Sequence, residues 1–495
     1  MAAGRGTRFL PYSKKISKTM LVVDNEPLIV RNVRLLDNAF NLETLYVLVG
    51  YNSEMIRDVL SKIKGLKSRI EFITIADNQI AKGLIAGYAA IVPYLNKDEM
   101  FVSVLGDEYY GGEDHLPFAK FVQSSIDFSI CCGLKKYDFP DEYFNNYSVD
   151  FDENTKIVKQ VKEKPASITS VYFGLGFICA KSRLAELAKE NIASASVINF
   201  INLFNLVSAQ GCGPIIGHEF YGGYVNINNR SDVYKMKRSI RQKRWNSFTI
   251  DVIIPAWNEV ESIEYVVKNF LPVCRQVIVM DNNSADGTAA KARRAGALVY
   301  SEPLNGYGDA IKKGLDRSDA DILVVVEADG TFRAEDLEKL LLYIKNADAV
   351  IGTRTYWQYI EYGANMPFFQ RMGNILFGGI ITLLWWNRKS RFTDVGCTFR
   401  CIWQESYKKI SGSLTGKGPE FSPEMIIELL NAWQRVIEVP VPYHARIMGA
   451  SKFSNNFISS ARTAIKMLRL ILFKRYNGWL ENLRSVKRIW LREER

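Results

Sequence analysis

TIDVIIPAWNE (Thr249–Glu259), RQVIVMDNNS (Arg275–Ser284) and DILVVVEADG (Asp321–Gly330) are three short apolar runs, each closed by acidic or amide residues. They are rich in Val and Ile and too short for helices. They therefore read as buried strands of a parallel sheet, joined by crossover helices. Such sheets bind ligands at the carboxyl ends of their strands. Asn258, Glu259, Asp281, Glu327 and Asp329 stand there. The plan recurs upstream, where TLYVLVG (Thr44–Gly50) and FVSVLGD (Phe101–Asp107) also end in Gly or Asp. The expected fold is α/β: two Rossmann-like domains with mostly parallel sheets, followed by a helical tail.

The expected boundaries are 1–235 for the first domain and 249–458 for the second. Between them, 236–248 is a basic helical or flexible linker within KMKRSIRQKRWNS (Lys235–Ser247), and 459–495 is the tail. The two blocks share no motif at a fixed offset, so the chain reads as a fusion and not a repeat.

A length of 495 residues with 47% apolar content allows each domain its own core. The seven cysteines form no regular framework and no secretory leader is evident, as in a reducing, cytoplasmic chain. The three histidines, His115, His218 and His444, have no zinc spacing. A metal is therefore expected on carboxylate oxygens, as Mg²⁺ or Mn²⁺. The net charge of +11 admits anionic partners of several kinds. Charge alone also raises a nucleic-acid-binding reading. No recognition motif accompanies it, so no nucleic acid is expected as a partner. GNILFGGIITLLWW (Gly373–Trp386) is the longest apolar segment and is short for a membrane span.

In AAGRGTRFLPYSKKISKTM, the small residues Ala3, Gly4 and Gly6 let backbone N–H groups approach a triphosphate. Arg8 and Lys18 supply positive charge. Downstream, in order, come Gly83 (GLIAGYAA), Leu105-Gly106-Asp107, Glu163-Lys164-Pro165, Gly174–Ile178 (GLGFI) and YVNINNRSD (Tyr224–Asp232). This series resembles the sugar-1-phosphate nucleotidyltransferases over about the first 235 residues. The resemblance implies Arg8 and Lys18 on the phosphates, Gly83 and Gly106 near the nucleotide, and Asp107 on Mg²⁺. Glu163 and Lys164 would meet the sugar phosphate, and Gly176 would lie in the sugar-contacting turn. The late metal position, usually Asp, is Asn226 here, with Asn228 as the other choice. The family carries a strand ahead of its glycine loop, whereas this chain opens at the loop. A sheet lacking a central strand is therefore expected.

The second block runs Pro255–Glu259, Asp281–Thr288, Asn305–Ala310, Glu327–Gly330, Gly352-Thr353-Arg354, Thr393–Arg400, Glu420–Glu424 and Arg446–Phe453. It is similar to family 2 glycosyltransferases of the GT-A fold, and most of all to polyprenyl-phosphate sugar synthases. The resemblance implies Pro255, Asn258, Glu259, Asp281, Asp309, Glu327 and Arg354 around a nucleotide-sugar, and Asp329 on a divalent ion. Glu327 stands where the family usually has Asp. By charge, Arg400, Arg446 and Lys452 suit a phosphate. A phosphate acceptor needs no base. For a hydroxyl acceptor Asp394 is the first candidate base, and it could equally be a structural or metal-site acid.

From Arg462 to Arg495 the tail holds ten Lys/Arg against three Glu, interleaved with Leu, Ile, Phe and Trp. Such helices lie on anionic bilayers or pack on the enzyme with a solvated basic face. The combined expectation is a bifunctional enzyme at the cytoplasmic face of a membrane. It would take an NTP, a sugar-1-phosphate and a nucleotide-sugar, with a polyprenyl phosphate as acceptor. The alternative is a glycosyltransferase with a regulatory first domain.

Overall fold

The computed structural model describes residues 17–23, 26–50, 53–125, 127–137, 146–163, 166–194, 200–301, 303, 306–364, 366–447 and 461–478. The chain divides into two compact units, Met1–Ile240 and Arg241–Arg495.

The C-terminal unit is built on a seven-stranded sheet. Its spatial order is Leu298–Ser301, Gln276–Asp281, Ile250–Ala256, Ile322–Val325, Arg400–Trp403, Ala349–Thr353, Val436–Pro440. Every neighbouring pair is parallel except those of Arg400–Trp403, which runs antiparallel to both its neighbours. Val252, Ile253, Ile254 and the whole Ile322–Val325 strand are buried, which explains their unbroken apolar character. Helices cover the sheet through one apolar stripe each. Ile263–Phe270 buries Ile263, Val266, Val267 and Phe270, the i, i+3, i+4, i+7 pattern.

The N-terminal unit is α/β with a more mixed sheet. Thr44–Val49 and Arg69–Thr74 form a parallel pair. A separate six-stranded sheet has Ile215–Glu219, Ile130–Lys136, Tyr172–Lys181, Tyr147–Phe151 and Val158–Glu163 in that order, with Met100–Ser103 pairing Tyr172–Lys181. Antiparallel pairing dominates this second sheet, because one long strand, Tyr172–Lys181, returns beside three others. Among the described residues, no strand joins Thr44–Val49 to Met100–Ser103.

The basic run between the blocks forms a helix, Arg230–Lys243, and a short turn, Trp245–Ser247. Arg241 is not a solvated linker residue. It is 4% exposed, pairs with Asp348 at 3.3 Å and Glu405 at 3.1 Å, and lies over the Trp403 ring.

Helix Phe368–Leu384 contains most of the apolar segment. It buries Arg371, Asn374, Phe377, Gly378 and Ile381 and exposes Phe369, Met372, Leu376 and Leu383. The tail contains a helix over 461–478 whose Met467 and Ile471 enter the core. Among the described residues no helix is long and apolar enough to cross a membrane. All seven cysteines are free.

Candidate active sites

In the N-terminal unit, Lys18, Asp107 and Asn226 converge. Lys18 opens a short 3-10 turn, and its Nζ lies 3.6 Å from an Asp107 carboxylate oxygen. The strand Tyr224–Asn226 pairs antiparallel with Glu108–Tyr110, placing Asn226 opposite Glu108. The backbone N–H of Ile227 donates to the Asp107 carbonyl at 2.9 Å. Asn228 sits one step beyond, where its N–H donates to the Asp232 carboxylate. Asn226, and not Asn228, lines the adjoining cavity.

That cavity, of about 180 Å³, is lined among others by Tyr147, Glu163, Gly174, Gly176, Glu108 and Asn226. Gly83 caps the next helix, Leu84–Ile91, with φ +64°, a conformation that side chains resist. Gly176 is required for space, since a Cβ there would come within 2.4 Å of Leu105. Gly106 stands in the turn before Asp107. Ala3, Gly4, Gly6, Arg8 and Lys164 lie outside the described residues.

Glu108 is a residue that motif reading missed. It is 2% exposed and accepts from the Tyr110 hydroxyl, from the Tyr224 hydroxyl at 2.8 Å and from the Gly176 N–H at 2.9 Å. Burial, opposed by these hydrogen bonds and reinforced by the neighbouring Asp107, pushes its pKa up to about 7. A carboxylate directly after Asp107 was the only signal in the sequence.

In the C-terminal unit, the strand ends form one mouth. Asn258 takes φ +51° after Ile250–Ala256. It receives the Ala285 N–H at 3.0 Å and donates its own to Ser284 at 2.9 Å. Glu259 is fixed by its N–H on Thr288. Pro255 lies in the strand itself and Asp281 is buried at the end of its own strand. Asp309 occupies the first turn of helix Tyr307–Arg317. The Tyr307 hydroxyl meets Thr398, which donates to Glu327 at 2.6 Å.

Asp329 is 2% exposed. One oxygen accepts from the Thr331 N–H and hydroxyl, and the other faces Arg446 at 2.7 Å. Burial first, and the charge of Asp329 second, push Glu327 up to about 7. A half-buried carboxylate, Glu327, beside a buried one, Asp329, forms an all-oxygen donor set, which fits Mg²⁺ or Mn²⁺. The fit is shared with Arg446, which is the cation on Asp329 here. A second cluster, Glu335, Asp336 and His444, has ligand atoms within 4.8 Å of one another, although the sequence spacing had suggested no histidine site. His444 bridges Asp336 at 3.0 Å and Glu361 at 2.7 Å. Its N–H bonds Thr331, so it anchors the segment carrying Arg446.

Two expected roles do not fit the geometry. Asp394 is fully buried, and both its oxygens accept from the Arg354 guanidinium, at 2.8 and 2.9 Å. Such a carboxylate is placed to orient Arg354 rather than to take a proton from a hydroxyl. Arg400 is 3% exposed, and its guanidinium donates to the carbonyls of Cys397 and Ser422. Its side chain braces the turn that bears Thr398, with these carbonyls as its partners in place of the expected phosphate. Lys452 lies outside the described residues. Glu438, another residue the motifs did not show, accepts from the N–H groups of Thr393 and Asp394, and burial pushes it up to about 7.

Comparison with known proteins yields two family matches: nucleotidyl transferase over residues 1–201 and glycosyl transferase family 2 over 251–402. A glycosyltransferase of Mycobacterium bovis is 30% identical over 227 residues, 45% of this chain and 97% of that protein. An undecaprenyl-phosphate mannosyltransferase of Micrococcus luteus is 28% identical over 241 residues, 46% of this chain and 95% of that protein. Among solved structures, a glucose-1-phosphate thymidylyltransferase from Bacillus anthracis aligns with a TM-score of 0.42 at 16% identity, covering 48% of this chain and 91% of that one.

Proposed function

Since the chain belongs to the nucleotidyl transferase family through its N-terminal unit and to glycosyl transferase family 2 through its C-terminal unit, we propose that it both makes an activated sugar and transfers one. In the first unit, an oxygen of a sugar-1-phosphate attacks the α-phosphorus of an NTP. A P–O bond forms, another breaks, and pyrophosphate leaves with the electron pair. The step needs charge neutralisation and alignment more than covalent catalysis. Lys18 and Arg8 supply positive charge, Glu163 and Lys164 hold the sugar phosphate, and Gly176 admits the ring. Asp107 and Asn226 would hold Mg²⁺ or Mn²⁺, which supplies Lewis-acid stabilisation of phosphate charge.

In the second unit, a phosphate oxygen of the acceptor attacks the anomeric carbon from the face opposite the nucleotide. The carbon–oxygen bond to the nucleoside diphosphate breaks, and configuration inverts. Glu327 and Asp329 would hold the divalent ion, Arg354 stays oriented by Asp394, and Arg446 is within reach of an incoming phosphate. Asp281, Asn258, Glu259 and Asp309 line the nucleotide side. The observation that carries this reading is the Glu327–Asp329 carboxylate pair at a strand end, with Arg446 against it.

The acceptor we favour is a polyprenyl phosphate at the cytoplasmic face of a membrane. The mannosyltransferase relative supports it, as do two exposed apolar stripes. Phe369, Met372, Leu376 and Leu383 form one; Ile465, Leu468, Leu472 and Tyr476 form the other, flanked by exposed Arg462, Lys466 and Arg469. A second reading, a first domain that binds without turnover, is favoured by an amide, Asn226, at the late metal position.

NTP and sugar-1-phosphate pairs, screened by pyrophosphate release, test the first step. Each product is then offered with undecaprenyl phosphate in anionic vesicles. Pyrophosphate release followed by sugar on lipid is expected. Neither event with any pair would overturn the proposal, and lipid glycosylation from supplied nucleotide-sugar alone would favour the second reading.

A further inference from the structure

Helix Tyr307–Arg317 begins at the mouth of the C-terminal site, and its first turn does not stand alone. The N–H groups of Gly308 and Asp309 both donate to the Lys417 carbonyl, at 2.8 and 3.3 Å. Lys312 Nζ donates to the Leu414 carbonyl at 2.9 Å. The approach is so close that a Cβ on Gly306 would lie 2.6 Å from the Lys417 oxygen, and one on Gly308 would lie 2.8 Å from the Gly416 oxygen. Glycines at 306 and 308 thus serve contact with the 414–418 loop.

That loop is shaped by one buried carboxylate. Glu424, 0% exposed, accepts from the Thr415 N–H at 3.0 Å, the Thr415 hydroxyl at 2.7 Å and the Gly416 N–H at 2.7 Å. Its cation comes from the tail. Lys474, on the helix over 461–478, places Nζ 2.8 Å from Glu424 and 2.8 Å from Glu428, and donates to the Ser413 carbonyl at 2.7 Å. Met467 and Ile471 are buried on the same helix, two turns and one turn before it respectively.

We propose that Lys474 is a positioning residue for the nucleotide-sugar site, acting through Glu424 and the 414–418 loop on the first turn of helix Tyr307–Arg317. The tail helix therefore has two faces with two tasks. Its buried face sets the donor site, and its exposed face, Leu468 and Leu472 among others, serves the anionic membrane surface that the proposed lipid acceptor occupies. This inference rests on the glycosyltransferase reading of the C-terminal unit.

The full chain is assayed with UDP-glucose and GDP-mannose as probe donors, Mn²⁺, and undecaprenyl phosphate in anionic vesicles. Lys474→Met keeps the aliphatic stem and removes the charge. The donor KM is expected to rise about tenfold, with kcat and the acceptor KM within about twofold, because a remote group that orients donor contacts alters binding more than chemistry. Lys474→Arg should restore donor KM. Hydrogen exchange should quicken at Gly308 and Asp309 in Lys474→Met alone. Leu468→Glu with Leu472→Glu should show the reverse split, raising acceptor KM and sparing donor KM. Unchanged donor KM and unchanged exchange at 308–309 in Lys474→Met would overturn the inference. So would an equal fall in all parameters with no rescue by Arg, which marks general destabilisation. A wild-type chain that turns over neither donor would instead count against the glycosyltransferase reading, and the exchange data at 308–309 would still decide the mechanical link.

Discussion

The two units follow one α/β plan with opposite continuity. In the C-terminal unit the strand Ile250–Ala256 is central: Gln276–Asp281 pairs one edge and Ile322–Val325 the other. In the N-terminal unit, Thr44–Val49 pairs only Arg69–Thr74, and Met100–Ser103 pairs only Tyr172–Lys181, among the described residues. Val47, Leu48 and Val49 are nonetheless buried. Among the described residues, the first unit divides these strands between two separate ladders where the second keeps them in one. Sites depend on such ladders, because the acids stand at strand ends. Asp281 and the Glu327–Asp329 pair share one framework. Asp107 relies instead on a local pairing, Glu108–Tyr110 with Tyr224–Asn226.

The largest effect expected is from breaking the buried pair at the C-terminal mouth. Arg354→Ala leaves Asp394, at 0% exposure, without its guanidinium partner. Loss of one partner of a buried pair costs about 3–5 kcal/mol. Urea unfolding followed by exchange mapped to each unit should show the C-terminal transition moving down and the N-terminal one unmoved. A shift of both would break the picture of two separately built units.

A smaller effect, tied to the same mouth, comes from Glu438. Burial raises its pKa from 4.5 to about 7. The folded state therefore binds a proton that the unfolded state releases. Its contribution to stability is full below pH 4.5 and is lost as pH rises through about 7. The shift corresponds to about 3 kcal/mol at most. Glu438→Gln should flatten the fall in C-terminal stability between those pH values, measured as urea midpoints across pH. An unchanged slope would show that another group carries it.

The smallest effect sharpens the comparison itself. Amides of Thr44–Val49 should exchange about a hundredfold faster than those of Ile250–Ala256, since stability varies along a structure with its local hydrogen-bonding and packing. Equal protection would mean that the split ladder has no energetic consequence.

Much of this architecture was legible in the chain. Runs of Val and Ile located the strands Thr44–Val49, Ile250–Ala256, Gln276–Asp281 and Ile322–Val325 to within a few residues, because buried parallel strands are apolar on both faces. The acids at their ends were legible for the same reason. What side chains do across the fold was not. Arg354 and Asp394 are forty residues apart, and nothing local says that one occupies the other. Arg400 opens a strand that is otherwise apolar and wholly buried, and only the packing shows its guanidinium turned to carbonyls. Glu108 and Glu438 gain their character from tyrosines and amides distant in sequence. His444 meets Asp336 across 108 residues, so spacing hid the cluster. The tail illustrates a different limit. A basic amphipathic pattern does not distinguish a bilayer from a protein surface, and here Met467, Ile471 and Lys474 face protein while Leu468 and Leu472 do not.

The central claim is that two chemistries reside in two units of one chain. It is tested most directly by a crossed pair of substitutions, Asp107→Ala and Asp329→Asn, each assayed for pyrophosphate release and for transfer from a supplied nucleotide-sugar. The account predicts that Asp107→Ala stops pyrophosphate release alone and Asp329→Asn stops sugar transfer alone. Loss of both activities in either folded variant, or near-normal sugar transfer by Asp329→Asn, would contradict it.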